Sequence, residues 1–144
     1  MRHRQLLTYI PAAILASASL GYAQENSISA GEFRRLDAAH WASGTASVVE
    51  TGDSGGISVL FESGFKAAPG PDLRVVLSKN PNPASGKDLG EYTELGLLSA
   101  TEGSQSYEIP AGVSLESLGS VVIYCKAYDI IFSTATLAPA EPAE

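Results

Sequence analysis

Apolar residues recur at every second position in short runs through the middle of the chain, and Gly, Pro, Asn and Asp separate the runs. Period two belongs to half-buried strands, whose side chains alternate between the two faces of a sheet. Ile57, Val59 and Phe61 share one face of the run 57–62. Leu73, Val75 and Leu77 alternate with Arg74, Val76 and Ser78 until Asn80-Pro81-Asn82-Pro83 stops that strand. Gln105, Tyr107 and Ile109 alternate with Ser106 and Glu108, and Pro110 ends the run; 121–126 and 130–137 complete the set. Runs 45–50 and 57–62 flank Thr51-Gly52-Asp53-Ser54-Gly55-Gly56, a hairpin connection. About seven to nine short strands punctuated by turns predict an all-β fold, an antiparallel sandwich or barrel-like single domain. Its core should hold, or lie beside, Ile57, Val59, Phe61, Leu73, Val75, Leu77, Tyr107, Ile109, Val121, Ile123 and Phe132. The pattern is weakest at 30–39, which fits a strand or one helical turn, and at 90–98.

The two ends of the chain break this pattern. Arg2 and Arg4 precede an apolar stretch from Leu6 to Leu20, and Gly21-Tyr22-Ala23 places small residues ahead of a cut before Gln24. That order predicts a cleaved signal peptide over 1–23 and a periplasmic or secreted protein. The apolar run is shorter than the ~20 residues a membrane helix needs, and Pro11 interrupts it. A flexible leader is expected over 24–30, the folded domain over 31–137, and a disordered Pro-, Ala- and Glu-rich tail over 138–144.

Charge then narrows the partners. The formal net charge is −7. Cleavage makes the balance more negative, because Arg2 and Arg4 leave and no acidic residue does. Such a chain repels phosphate backbones, so nucleic acid is excluded as a partner, and no integral membrane span remains after cleavage. Charge leaves another cell-envelope protein open as the partner, and a redox protein is expected only if Cys125 does redox work.

Candidate chemistry rests on few residues. Cys125 is the only cysteine, and with no partner in its own chain it is a buried thiol, an intermolecular link, or a redox or ligand group. In an extended strand Val121, Ile123 and Cys125 point one way while Val122, Tyr124 and Lys126 point the other, which puts the thiol in an apolar row and Lys126 on the opposite face. His40, beside Trp41, is the one histidine left after cleavage. It lacks the glycine-flanked serine that a hydrolase would need. One His, one Cys and no Met in the mature chain do not make a blue-copper centre, and one Cys cannot attach haem covalently. No metal site is expected. Non-covalent haem stays open, with Cys125 and His40 as candidate ligands. His40 and Cys125 could also meet across the sheet, where an imidazolium would favour thiolate.

The order of short motifs adds a further expectation. Gly31-x-Phe33, His40-x-x-x-Gly44-x-Ala46, Phe65, Ala68-Pro69-Gly70-Pro71-Asp72-Leu73, Leu89-Gly90, Gly103-Ser104-Gln105-Ser106-Tyr107-x-Ile109-Pro110 and Val122-x-Tyr124-Cys125 with Phe132 and Leu137 together resemble the Skeletor-type electron-transfer domain known as DM thirteen. The resemblance runs from about residue 31 to 137. It implies a β-rich domain outside the cytoplasm whose hallmark cysteine, matched by Cys125, does redox work as a bare thiol or by holding a prosthetic group such as haem. An electron-transfer or binding domain is therefore expected rather than a stand-alone enzyme. The rival is a non-catalytic interaction module with a structural cysteine. The proline and glycine motifs also have a purely architectural account, as rigid turns leading into strands.

Overall fold

The computed structural model describes residues 27–52 and 55–140. The signal peptide expected at 1–23, the first residues of the leader and the last four of the tail lie outside the described residues. Eleven strands follow in order: β1 (Ser27–Arg35), β2 (Ala42–Ser43), β3 (Thr45–Thr51), β4 (Gly56–Phe61), β5 (Lys66–Ala67), β6 (Leu73–Ser78), β7 (Tyr92–Leu97), β8 (Gln105–Glu108), β9 (Ser120–Cys125), β10 (Ile130–Thr136) and β11 (Ala138–Pro139). Among the described residues helix is confined to two short 3-10 turns, Gly86–Leu89 and Leu115–Ser117. The fold is all-β and antiparallel, as the alternation predicts.

The long strands follow the order β7-β6-β9-β10-β1-β3-β4-β8. β1 belongs to both halves of the sandwich. Its first half pairs with β3, Ala30 facing Ser47, while its second half pairs with β10, Phe33 facing Ala135. The change of partner falls between Glu32 and Phe33, and just before it, at Gly31, an added Cβ would lie 2.1 Å from the Thr136 carbonyl oxygen. Only glycine admits that approach. Residues 27–30 are therefore strand and not leader, and Ala138–Pro139, expected in the tail, pair with Ser29 and Ala30.

Between the halves lies the core, and every residue expected there is in it or packed against it. Phe33, Phe61 and Phe65 form an aromatic cluster with centroids 4.6 to 5.4 Å apart, and Tyr107 packs on Phe61 at 5.3 Å. Burying each such ring contributes about 1.5–3 kcal/mol, with a smaller gain from edge-on geometry.

A second, smaller core lies outside β6, β9 and β10, where Val76, Val122, Tyr124 and Ile131 pack with Leu89. The segment after the strand-stopping Asn80-Pro81-Asn82-Pro83 covers this face. Ser78 Oγ donates to the Leu89 carbonyl at 3.0 Å, Ser120 Oγ to Asn80 at 2.7 Å and Thr136 Oγ1 to Pro81 at 2.6 Å. Those bonds anchor the cover, and the first two satisfy hydroxyls of buried residues that would otherwise be costly. β9 is consequently buried on both faces along its whole length.

Candidate functional site

Cys125 is the last residue of β9, opposite Leu73 at the start of β6 and Ile130 at the start of β10. Its side chain joins Val121 and Ile123 on the inner face, as the alternation requires, and the residue is 1% exposed. Among the described residues the thiol has one polar contact, donating to the Pro71 carbonyl at 3.0 Å. The Pro69-Gly70-Pro71-Asp72 turn thus closes over the sulfur. Lys126 N–H donates to the Asp72 carbonyl at 3.2 Å, which ties the turn to the residue after the cysteine.

Asp72 takes a left-handed φ of 54°, a conformation Asp tolerates better than most residues, and the turn delivers its carboxylate to Arg74 at 2.7 Å. This hydrogen bond is the main cause holding the Arg74 guanidinium pKa above its ordinary value. Arg74 also pairs with Glu94, and so does Lys126, each at 3.3 Å. Lys126 is therefore engaged on the outer face, away from the thiol.

His40 sits on the loop between β1 and β2. Asp37 accepts from the backbone N–H groups of Ala39 and His40, each at 2.8 Å, and contacts His40 Nδ1 at 2.8 Å. The imidazole bond first, and the backbone bonds after it, hold the Asp37 carboxyl below its ordinary pKa. The His40 ring packs edge-on against Phe132, centroids 4.9 Å apart. Phe132 in turn lies so close to Gly70 that a Cβ there would meet its Cζ at 2.6 Å. His40 and Cys125 thus reach the same end of the sandwich through Phe132 and the proline turn, and they share no hydrogen bond.

Axial ligation of haem needs a ligand atom facing an open slot. Cys125 offers none, since iron at its sulfur would have to displace the 69–72 turn. His40 keeps Nε2 free behind a carboxylate-oriented Nδ1, an arrangement that suits a ligand. Yet Phe132 packs edge-on against its ring, and the described cavities of 300 to 340 Å³ are lined by other residues. None of these cavities brings His40 or Cys125 to an open slot for a haem. The described residues also contain no group of three or more His, Cys, Asp or Glu able to hold a metal ion.

The other specific motif is architectural. Tyr107 Oη accepts from the Ser99 N–H at 2.9 Å and donates to Gln105 Oε1 at 2.5 Å, while Gln105 Nε2 donates to the Ala100 and Gly103 carbonyls. Gln105 and Tyr107 thereby fix the segment joining the two edge strands, β7 and β8. Sequence reasoning singled out Tyr124 only as part of a motif and passed over Asp129; the structure joins them, the Tyr124 hydroxyl donating to the Asp129 carboxylate. The only available signal was the spacing of the β9–β10 turn.

Among the described residues no helix is long and apolar enough to cross a membrane. A comparison with curated proteins finds no match. Solved structures supply a fold likeness. A mutant of Candida albicans Superoxide Dismutase 5 aligns with a TM-score of 0.58 and 12% identity over 83% of this chain and 93% of that one. The Cu(II) form aligns with a TM-score of 0.52 and 14% identity over 83% and 95%. At such identities the likeness concerns the fold alone. The sequence itself matches the family Electron transfer DM13 over residues 32–137, from the sheet-changing strand to the end of the sandwich, so the chain belongs to that family.

Proposed function

We propose that this small β domain of an electron-transfer family works outside the cytoplasm, with the Cys125 thiol as its redox group. The supporting observation is that the sole cysteine's one polar contact is the Pro71 carbonyl, on a turn whose opening would bare the sulfur. The reactant is a disulfide or a hydroperoxide. With a disulfide, the thiolate attacks one sulfur, the S–S bond breaks, a mixed disulfide forms and the other thiol leaves. With a hydroperoxide, the thiolate takes the terminal oxygen as the O–O bond breaks, losing two electrons to become a sulfenic acid while water or an alcohol leaves. Export rests on the basic, apolar and small-residue order of 1–23. His40 acts at most on the turn, through Phe132.

The 1% exposure of Cys125 in an apolar cluster favours a second reading, an extracytoplasmic interaction module with a quiet core cysteine. Reaction of the folded protein with an aromatic disulfide reagent separates the two. The redox reading expects labelling in native buffer, abolished in Cys125→Ser and faster when Gly70→Ala pushes on Phe132 and loosens the turn. Labelling that occurs only at the rate of global unfolding, unchanged by Gly70→Ala, supports the second reading and defeats the first.

A further inference from the structure

Tyr124 lies on the outer face of β9, only 6% exposed, with its phenol directed at Asp129 across the β9–β10 turn. The surroundings are built around this contact. Asp129 adopts a left-handed φ of 55°. Gly86, from the 3-10 turn of the covering segment, lies so close to the carboxylate that a Cβ would meet Oδ1 at 1.7 Å. The ring of Tyr92 in β7 lies 5.9 Å from that of Tyr124, and Tyr92 is 39% exposed. A buried phenol, the exposed carboxylate that accepts its hydrogen bond and an aromatic contact with the surface therefore adjoin one another. Tyr107 provides the contrast, because its hydroxyl donates to the neutral amide of Gln105. A carboxylate can accept a phenol's proton, and an amide cannot.

We infer that Tyr124 and Asp129 form a proton-coupled one-electron redox site, with Tyr92 as its contact with the oxidant at the surface. The oxidant is a high-potential metal centre of a partner protein, which accepts one electron. As the electron leaves, the Tyr124 O–H bond breaks and the proton forms an O–H bond with Asp129, giving a neutral tyrosyl radical and a carboxylic acid. Reduction returns the electron, and the proton goes back to the phenolate oxygen. The Asp129 hydrogen bond first, and burial second, push the Tyr124 pKa up to about 12, so at neutral pH the phenol carries its proton and oxidation requires the neighbouring base. The site stands apart from the proposed role of Cys125 and uses none of its atoms.

The test is one-electron oxidation of the purified protein by photogenerated tris(bipyridine)ruthenium(III), followed by freeze-quenching and electron paramagnetic resonance. Wild type should give a tyrosyl signal that Tyr124→Phe removes, although Tyr128 is more exposed at 68%. Asp129→Asn keeps an acceptor oxygen but no base, and should lower the yield at least about tenfold. Gly86→Ala retains both partners and displaces the carboxylate, so it should act in the same direction even if the other variants fold poorly. Cys125→Ser should leave the signal in place. The inference is overturned if the signal survives Tyr124→Phe and disappears with Tyr128→Phe, or if Asp129→Asn and Gly86→Ala give the wild-type yield.

Discussion

At the scale of single residues, two polar contacts decide what substitutions will do. The Cys125 thiol already donates to a carbonyl, so a serine there finds an acceptor rather than an apolar wall. Cys125→Ser should fold normally and lose about 1 kcal/mol in urea unfolding, the typical value of one imperfect exchange between hydrogen-bonding groups. A loss several times larger would mean that the hydroxyl does not reach Pro71. Tyr124 carries a pH dependence whose sign is fixed. Its folded pKa is raised to about 12 by Asp129 and burial, with smaller contributions from Tyr92 and Cys125. Stability from this phenol is fully present below its unfolded value of about 10 and is lost as pH rises through about 12. Urea midpoints from pH 9 to 12 should therefore fall more steeply for wild type than for Tyr124→Phe; parallel curves would contradict the assignment.

Among the elements, the inner faces were legible in the sequence and the outer ones were not. Ile57, Val59, Phe61, Leu73, Val75 and Leu77 announce themselves because alternation in a half-buried strand depends on nothing beyond the strand. Val76, Val122 and Tyr124 read as outward-facing, and they are buried, with Ile131, because a loop covers them, which periodicity cannot express. The start of β1 was missed for a related reason. Ser27, Ser29, Ala30 and Gly31 carry no apolar alternation, and their conformation comes from partners on both sides. Cys125 was placed on the correct face, whereas its carbonyl partner depends on how a distant turn closes. Two substitutions check these elements by equilibrium unfolding. Leu89→Ala should cost about 2–5 kcal/mol if the outer cluster is a true core. Gly31→Ala drives a methyl into the Thr136 carbonyl and should cost about 2–3 kcal/mol or more. Surface-like values below about 0.5 kcal/mol would remove either element from the account.

For the whole molecule, the strand order has a consequence for how the chain is made. Of the described strands β1 leaves the ribosome first, yet its second part, Phe33–Arg35, pairs with β10, with Phe33 and Ala135 separated by about a hundred residues. β3, β4 and β8 can join β1 while synthesis continues. What they build is an open sheet whose Val48, Val59 and Phe61 have no opposing layer, and a nascent chain of this kind is exposed to aggregation. A chain ending at Ala127, with every inner-face residue up to Cys125 but without β10, should be insoluble or unfolded, and a cooperative transition from it would show that β1 needs no late partner. The sandwich is thus sealed from its C-terminal end, and its closing time is set by the delivery of one strand.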